Sequence, residues 1–569
     1  MDAEDRIPQM NLSGPAQQLA TIDPTLIACR ASWNARQPIH RLPLQVLVAI
    51  LLYCGVNYNF ETSEDLRNMR FAPEWFRLRL VCQRWRAVVD TNPCFWRNIS
   101  VRKSTQWLKL AISRSQNLHL RFEFDHGHTL LLPIASIVLA CADRIERLEG
   151  TWLRTSQAPM MLALLDSTLP SLTSIYLHFH CPYDENISPY ELDPGRHPRL
   201  ARLSLSNASF PWTITSLTLD HLRSLRLYKC NITPAAIPFS NFLHVLSCAE
   251  QLKELDLVEI MSTSCSYPDM TGDGSTFVSL PRGLRVLSIT DTPLWLSRLL
   301  SQVELPTQGR ITVSASLTLN LVAEYSCLAQ YASFLPTSPG CRLPFFDTAT
   351  KVGLHIEPSH AASWHISCEA PGPLSFTFNL SCRPNTGCHI SCTSEKQALS
   401  YIADLFRAAP LEELDLAMDL PWMEDTSILD NLMRAFPGIL RLKVGYAGAY
   451  PASAYPRQFL DTLYPRNNAN RPLYDPEGLC YSFRWPKLTS IHIEGFRWCN
   501  GYFLPLLLQS LAQRASTGAP KLDSLVLTFF RYDYPGEDWC LVDSLFQCAF
   551  RIFAKESRYT VRLLSHKNF

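Results

Sequence analysis

Two short stretches of the 569-residue chain hold residues of the types that bind metal ions. His126 and His128 stand two residues apart in DHGH, and CRPNTGCHISC, from Cys382 to Cys392, holds three cysteines and a histidine. A structural metal site usually needs four converging ligands at spacings such as CxxC, and the chain contains no CxxC. We therefore predict ordinary loop or strand residues in both stretches, with no metal ion and no other cofactor.

Sequence signatures of enzyme active sites are also missing. The chain has no Walker-type glycine-rich loop, no HExxH and no GxSxG elbow. We therefore predict that it is not an enzyme. One alternative stays open, an enzyme with an unfamiliar site in residues 290–410, which a cleft gathering titratable side chains there would favour.

Composition and charge exclude several other classes of protein. Lys plus Arg number 52 and Asp plus Glu 51, so no bulk field favours nucleic acid or an anionic membrane surface. The longest apolar run, Leu130 to Ala142, is shorter than the roughly 18 to 20 residues that span a bilayer. Nineteen cysteines without framework spacing and an N-terminus unlike a secretory signal predict reduced thiols in a cytoplasmic or nuclear protein.

The stretch from Pro38 to Val101 is the most informative part of the chain. Before it, residues 1–37 carry few periodic signals, and we predict a loose tail or a short helix. We expect the first helix of the stretch to begin at Pro43, because proline at the first helical position loses no backbone hydrogen bond. Its apolar stripe and its equally apolar opposite side are formed by Val46, Leu47, Ile50, Leu51 and Cys54, and by Val48, Ala49 and Leu52. Such a helix must be covered on both sides, so we infer that one side meets another chain.

A second helical pattern follows, with strong amphipathic periodicity. Its apolar residues, spaced i, i+3, i+4, i+7, i+10 and i+11, are Leu78, Val81, Cys82, Trp85, Val88 and Val89. Four arginines lie largely off this stripe, where we expect them to be solvated or to contact an acidic partner. They are Arg77, Arg79, Arg84 and Arg86. Pro93 then stops the helix, and Phe95 and Trp96 are expected to close a small core.

Three ordered blocks, HRLPLQVLVAILLYC, LRLVCQRWRAVV and NPCFWRNI, resemble the F-box, in particular the F-box-like proteins abundant in fungi. The resemblance implies a helical domain over residues 38–101 that docks onto the Skp adaptor, which in turn holds a cullin scaffold. The adaptor-binding residues that it implies are Leu42, Pro43, Leu47, Ile50, Val81, Cys82 and Trp85. The insert from Gly55 to Phe76 departs from the short link typical of the family, but loop-closure entropy rises only slowly with loop length.

Beyond residue 101 a Leu-x-x-Leu-x-Leu unit recurs. Its clear copies begin at Leu172, Leu200, Leu222, Leu252, Leu284, Leu411, Ile439, Leu488 and Leu522. The last two apolar positions of each copy alternate as one face of a short strand, while the first packs into the turn before it. In the copy LRSLRLYKCNI, Cys230 and Ile232 fall where the turn after the strand closes.

One such strand cannot bury itself, so the copies are expected to stack as parallel strands with helices on the convex side of the sheet. This predicts an α/β chain: a helical F-box, then an irregular leucine-rich-repeat-like solenoid over residues 102–569. Between Ile289 and Leu411 the unit is lost. GRITVSASLTLNL, KVGLHI and PLSFTFNL still alternate like strands there, which indicates degenerate repeats or an inserted sheet at about 290–410.

The resemblance thus implies a substrate-recognition subunit of an SCF-type cullin ubiquitin ligase, with the repeats presenting an unknown protein target. We expect target contacts from side chains between the inward leucines. They are Arg202, Ser204, Arg226, Tyr228, Glu254, Asp256, Glu413 and Asp415, a row that changes from basic to acidic along the array. The alternative is a repeat-based scaffold whose F-box acts outside a ligase, which recovery of the Skp adaptor without cullin would favour.

Overall fold

The structure is a computed structural model. It describes residues 24–56, 75–101, 104–125, 132–180, 195–208, 221–230, 239–260, 278–304, 309–319, 345–357, 363–371, 375–384, 392–418, 426–446, 485, 487–497, 503–516, 518–532 and 548–564. His126, His128, Ile232, Cys388 and the insert up to residue 74, apart from Gly55 and Val56, lie outside the described residues. The chain divides into two compact units, residues 1–185 with 192–200, and residues 186–191 with 201–569.

The first unit opens with helices and continues with parallel strands. Its helices are α1 (Pro24–Ala35), α2 (Leu44–Val56), α3 (Trp75–Leu78), α4 (Gln83–Thr91), α5 (Thr105–Arg114), α6 (Leu132–Leu139) and α7 (Ala158–Leu165). Short 3-10 helices span Pro38–Arg41, Pro93–Trp96, Ala142–Arg144 and Thr155–Gln157. Its strands are β1 (Asn98–Val101), β2 (Leu120–Asp125), β3 (Ile145–Arg154) and β4 (Ser174–His180).

The strands of the first unit pair in sequence order, all parallel. Their register places Ile99, Phe122, Leu148 and Ile175 side by side, and all four are buried. Because β1 ends the stretch that resembles an F-box and pairs with β2, the helical segment and the first strands share one unit. The boundary at residue 101 stays a prediction.

The second unit is built on a mostly parallel sheet. Its strands are β5 (Arg202–Ser206), β6 (Ser224–Tyr228), β7 (Glu254–Val258), β8 (Val278–Ser279), β9 (Val286–Asp291), β10 (Val303–Glu304), β11 (Arg310–Leu319), β12 (Lys351–Glu357), β13 (Ser363–Glu369), β14 (Ser375–Pro384), β15 (Glu413–Met418), β16 (Arg441–Tyr446), β17 (Ser490–Arg497), β18 (Leu522–Tyr532) and β19 (Ala554–Leu564). Its helices are α8 (Phe239–Cys248), α9 (Pro293–Gln302), α10 (Phe345–Thr348), α11 (Cys392–Leu405), α12 (Thr426–Ala435) and α13 (Phe503–Ser516).

The spatial order of the large sheet in this unit is β5-β6-β7-β9-β11-β14-β13-β12-β15-β16-β17-β18-β19, and β8 pairs with β10 separately. Only the β12–β13 and β13–β14 pairs among these described strands are antiparallel. The three segments expected to be strands near residues 290–410 form β11, β12 and β14, which confirms the strand predictions. The additional strand β13 lets β12 and β14 join the sheet as an inserted antiparallel meander.

The predicted inward side of the Leu-x-x-Leu-x-Leu copies is confirmed by burial. In each of the nine copies all three apolar positions are buried, as at Leu222, Leu225 and Leu227. A backbone ladder joins neighbouring copies: the N–H groups of Arg223 and Ser224 both donate to the carbonyl of Ala201, at 2.7 and 3.1 Å, and the arrangement recurs along the array. The first leucine of each copy is therefore held in the turn, where the sequence pattern predicts it.

Cys230 lies where the pattern predicts, in the turn after β6. Its side chain is fully buried, and its thiol is 3.5 Å from the carbonyl oxygen of Leu205. Burial raises the pKa of this thiol to about 12. Cys230 is therefore a protonated core thiol.

The architecture is mixed α/β with largely parallel strands, which is compatible with a solenoid. No helix in the described ranges is long and apolar enough to cross a membrane.

Candidate interaction surfaces

Helix α2 begins one residue later than expected. Its first residue is Leu44, and the N–H of Leu47 donates to the carbonyl of Pro43 at 3.0 Å. Pro43 therefore precedes the helix as its cap residue, where its fixed φ and missing N–H are equally well tolerated. One side of α2 packs inward through Leu47 and Leu51, both fully buried.

The prediction of one continuous second helix was wrong. The chain forms α3 and α4 with a turn between them, so Val81 and Cys82 lie outside both helices. Cys82 has an extended backbone, with φ −159° and ψ 170°, and its sulfur accepts the N–H of Trp85 at 3.5 Å. A side chain that accepts at the first turn begins a new helix. The apolar spacing continues through this break, but the residues differ in burial: Val81 is exposed, whereas Val88 and Val89 are buried.

Arg84, near the start of α4, hydrogen-bonds the residues that lead into α2, and we call this contact the joint. Its guanidinium donates to the carbonyl of Leu42 at 3.1 Å and also to that of His40. The thiol of Cys82 lies 3.6 Å from Nε2 of His40. The prediction that Arg84 is solvated or meets an acidic partner was therefore wrong, because backbone carbonyls of its own chain occupy it. Arg79 is likewise paired, with Asp90 at 2.7 Å.

Exposed apolar side chains lie on both elements of this joint, and we call them together the docking surface. They are Leu44, Val46, Ile50 and Tyr53 on α2, and Leu80 and Val81 in the turn before α4. Leu80 is 71% exposed, Val81 56% and Ile50 36%. Of the residues predicted to bind the adaptor, Pro43, Ile50 and Val81 are thus exposed, whereas Leu42, Cys82 and Trp85 are partly buried. Leu47 is fully buried and belongs to the core of the helical segment.

Two tryptophans of this segment have different surroundings. Trp96 is 2% exposed, donates its indole N–H to the carbonyl of Val89 at 2.9 Å, and packs 5.4 Å from the ring of Trp107. Trp85 is only partly buried, and its indole nitrogen has no hydrogen-bond partner among the described residues. The predicted role of Trp96 in closing the core is confirmed. Trp85 lies between core and surface.

The residues expected to bind a target lie on the polar face of the second unit, the side of its sheet opposite the buried leucines. On β6, Arg226 and Tyr228 are exposed while Leu225 and Leu227 are buried. Register places Ser204 beside Arg226 and Arg226 beside Asp256. The candidates of the first copies, Arg202, Ser204, Arg226, Tyr228, Glu254 and Asp256, therefore form one continuous surface on β5, β6 and β7.

Some of these side chains already have partners in the chain. Arg226 lies 3.5 Å from the carboxylate of Glu254, which also accepts the hydroxyl of Ser224 at 3.0 Å. Nζ of Lys229 lies 5.4 Å from the ring centre of Tyr228. One carboxylate oxygen of Asp256 is buried without a hydrogen-bond partner in the described part of the chain.

The later candidates, Glu413 and Asp415 on β15, lie within a ladder of ion pairs. Glu413 contacts Lys351 of β12 at 3.3 Å and Arg441 of β16 at 2.8 Å. Asp415 contacts Lys443 at 3.3 Å, and Lys443 continues to Glu494 of β17 at 2.8 Å. Burial lowers the pKa of Lys443, but the carboxylates of Glu494 and Asp415 outweigh this, so its pKa is raised above the ordinary lysine value.

The expected change from basic to acidic along the array was therefore wrong. Register interleaves Lys351, Arg441 and Lys443 with the acidic residues, so opposite charges alternate from strand to strand. Arg441 and Lys443 occupy the same two positions in their copy that Glu413 and Asp415 occupy in the preceding one. Comparing all copies in register would have found them, whereas the individual motifs did not show which charges become neighbours.

Within the described ranges, no three or more histidine, cysteine, aspartate or glutamate residues come together to hold a metal ion. Cys382 lies in β14 and Cys392 begins α11, consistent with ordinary strand and helix positions. Compared with known proteins, the chain matches no protein-family model and no curated protein.

Proposed function

We propose that the chain is the substrate-recognition subunit of an SCF-type cullin ubiquitin ligase. The docking surface binds the Skp adaptor, which links the chain to the cullin scaffold, and the polar face of the second unit binds the protein to be ubiquitinated. The observation that carries the proposal is the docking surface itself, apolar side chains exposed on α2 and on the turn before α4.

Exposed aliphatic groups in this number favour a protein partner. Exposed apolar side chains gain free energy when another molecule removes them from water. Arg84 holds the entry to α2 against α4, so Pro43 and Val81 are presented on a fixed backbone. A preformed backbone reduces the conformational entropy lost on binding. These features support a docking role and agree with the F-box resemblance.

The polar face supports the second half of the proposal. Tyr228 is 40% exposed and stands next to exposed Arg226, and tyrosine and arginine are enriched among residues that dominate binding energy. Asp256 of β7 lies beside Arg226 in the register and adds a partly exposed carboxylate to the same surface. A protein target is therefore expected to contact β6 and β7.

The docking half is tested with charge substitutions on the full chain. Ile50→Asp and Val81→Asp place carboxylates on exposed positions, so folding is retained while an apolar contact is replaced by a buried charge. We expect each variant to lose adaptor affinity by about 2 kcal/mol or more, roughly thirtyfold. Affinity is measured by titration with purified Skp adaptor.

Leu110→Asp is the matched control, because Leu110 is an exposed apolar residue of the same unit but lies on α5, which contributes no residue to the docking surface. Its affinity should equal that of the parent. Equal affinity for all three variants would refute docking through this surface. Recovery of the Skp adaptor without cullin from cells would favour the scaffold outside a ligase.

A further inference from the structure

Two histidines lie directly opposite each other on neighbouring antiparallel strands of the inserted meander. His355 of β12 is the register partner of His365 of β13. Both belong to the polar face, because their neighbours Leu354 and Ile366 are buried while the imidazoles are partly or largely exposed. Directly opposite residues on antiparallel strands have Cβ atoms about 4.5 to 5.5 Å apart. Two imidazoles at this separation can converge on one ion.

The orientation of one imidazole is fixed from the next strand. Nδ1 of His365 is hydrogen-bonded to Oδ1 of Asn379 on β14. The side-chain amide of Asn379 donates in turn to the hydroxyl of Ser314 on β11 at 3.1 Å, which orients its oxygen toward the histidine. In the neutral tautomer in which Nδ1 of His365 donates to this amide oxygen, Nε2 keeps its lone pair.

This arrangement is the one that metal-binding histidines use. A ligating imidazole almost always donates its other N–H to a carboxylate, a carbonyl or water, which fixes the tautomer and increases ligand basicity. None of the described residues hydrogen-bonds the imidazole of His355, so its nitrogens are available. Among the described residues, two protein ligands converge here, and water would fill the remaining positions of the ion.

The described neighbours of the pair carry small side chains or charges that are already paired. On the other side of His355, β15 presents Ala417, and Gly353 lies two residues earlier on β12. Small side chains therefore border the pair. The lysine of this strand, Lys351, is neutralised by Glu369 at 3.4 Å and Glu413 at 3.3 Å.

We propose that His355 and His365 bind a divalent transition-metal ion of the zinc class through Nε2 of His365 and one ring nitrogen of His355, with Asn379 as a positioning residue. Imidazole nitrogens are favoured ligands of zinc, copper and nickel. The site would be open, with exchangeable water ligands. The proposal is independent of the ubiquitin-ligase assignment.

The test uses the full chain, zinc chloride and diethyl pyrocarbonate, a reagent that acylates free imidazole nitrogens, with peptide mass spectrometry as the readout. We expect zinc to protect His355 and His365 together, over the same concentration range, while exposed His119 reacts at an unchanged rate. In His355→Asn the protection of His365 should be lost. Absence of protection in the parent, or continued protection of His365 in His355→Asn, would overturn the site.

Two substitutions at Asn379 separate positioning from folding. Asn379→Ala removes the acceptor for Nδ1, and we expect protection of His365 to need roughly 10- to 100-fold more zinc, the usual effect of removing such a partner. Asn379→Asp restores an acceptor and should recover protection at the zinc concentration of the parent or below. Hydrogen exchange of β13 and β14 checks that the strands remain folded. A zinc dependence unchanged in Asn379→Ala would refute the positioning role.

Discussion

The side chains of the docking surface and those of the polar face of the second unit differ in what they contact. On the docking surface, Ile50, Leu80 and Val81 expose aliphatic groups, which a binding partner would remove from water. On the polar face, Glu413 and Lys443 are each paired on both sides by residues of their own sheet. The docking surface can therefore still gain free energy when a partner covers it. The charged side chains of the polar face are largely paired within their own sheet.

The difference indicates how each surface would contribute to recognition. Covering exposed apolar groups is favourable with little dependence on salt. A charge that is already paired gains little from a second partner, and complementary charges mainly govern specificity and association rate. Binding at the polar face should therefore depend on its unpaired or exposed members, such as Tyr228 and Asp256.

The largest expected effect separates the core beneath the docking surface from the surface itself. Trp96→Ala removes a buried indole and its hydrogen bond to Val89, and should cost about 3–5 kcal/mol of folding free energy. Trp85→Ala should cost less, because Trp85 is only partly buried. Hydrogen exchange of residues 83–101 in the full chain measures both. A larger loss for Trp85→Ala would reverse this ordering of core and surface.

The next effect tests the joint that presents the docking surface. Arg84→Met keeps the aliphatic stem but leaves the carbonyls of His40 and Leu42 without their donor, at a cost of about 1–3 kcal/mol. Hydrogen exchange at residues 42–48 should rise and adaptor affinity should fall. Arg77→Met is the control, because Arg77 is an exposed arginine of the same segment. Equal exchange in both variants would show that the hydrogen bonds of Arg84 are not needed to hold the entry to α2.

The sequence predicts the buried side of the sheet better than its polar side. Burial of Leu203, Leu225 and Leu255 follows from period-two alternation, a local property that survives any register between strands. The pairing of Lys443 with Glu494 depends on which residues become neighbours after a connection of some fifty residues, and a single motif does not contain that information. The break between α3 and α4 was missed for a similar reason, since Cys82 can cap a helix or continue one.

A smaller effect tests the internal pairing of the polar face. Lys443→Met leaves Asp415 and Glu494 without their shared cation and should cost about 0.2–1 kcal/mol, less at high salt. Because the pKa of Lys443 is raised in the fold, this stability is fully present below the ordinary lysine pKa and is lost as pH rises through the raised value. Denaturant unfolding of the parent and variant, at two salt concentrations, measures the difference. A difference that grows with salt would exclude ion pairing as its cause.

The smallest expected effect on stability is at Arg226 and Tyr228. Substituting them tests adaptor binding and target binding in the same variant. Both side chains are exposed, so Arg226→Glu with Tyr228→Ala should change the free energy of unfolding by only about 0.5 kcal/mol or less. Adaptor affinity should not change, because neither residue belongs to the docking surface. If the polar face binds the target, the proteins captured by the double variant should differ from those captured by the parent. Lys555→Glu, an equally charge-reversed exposed position on β19, serves as the control for a general effect of charge. The same captured set in all three proteins, with the adaptor still bound, would place target recognition outside β6 and leave its polar side chains a purely solvated surface.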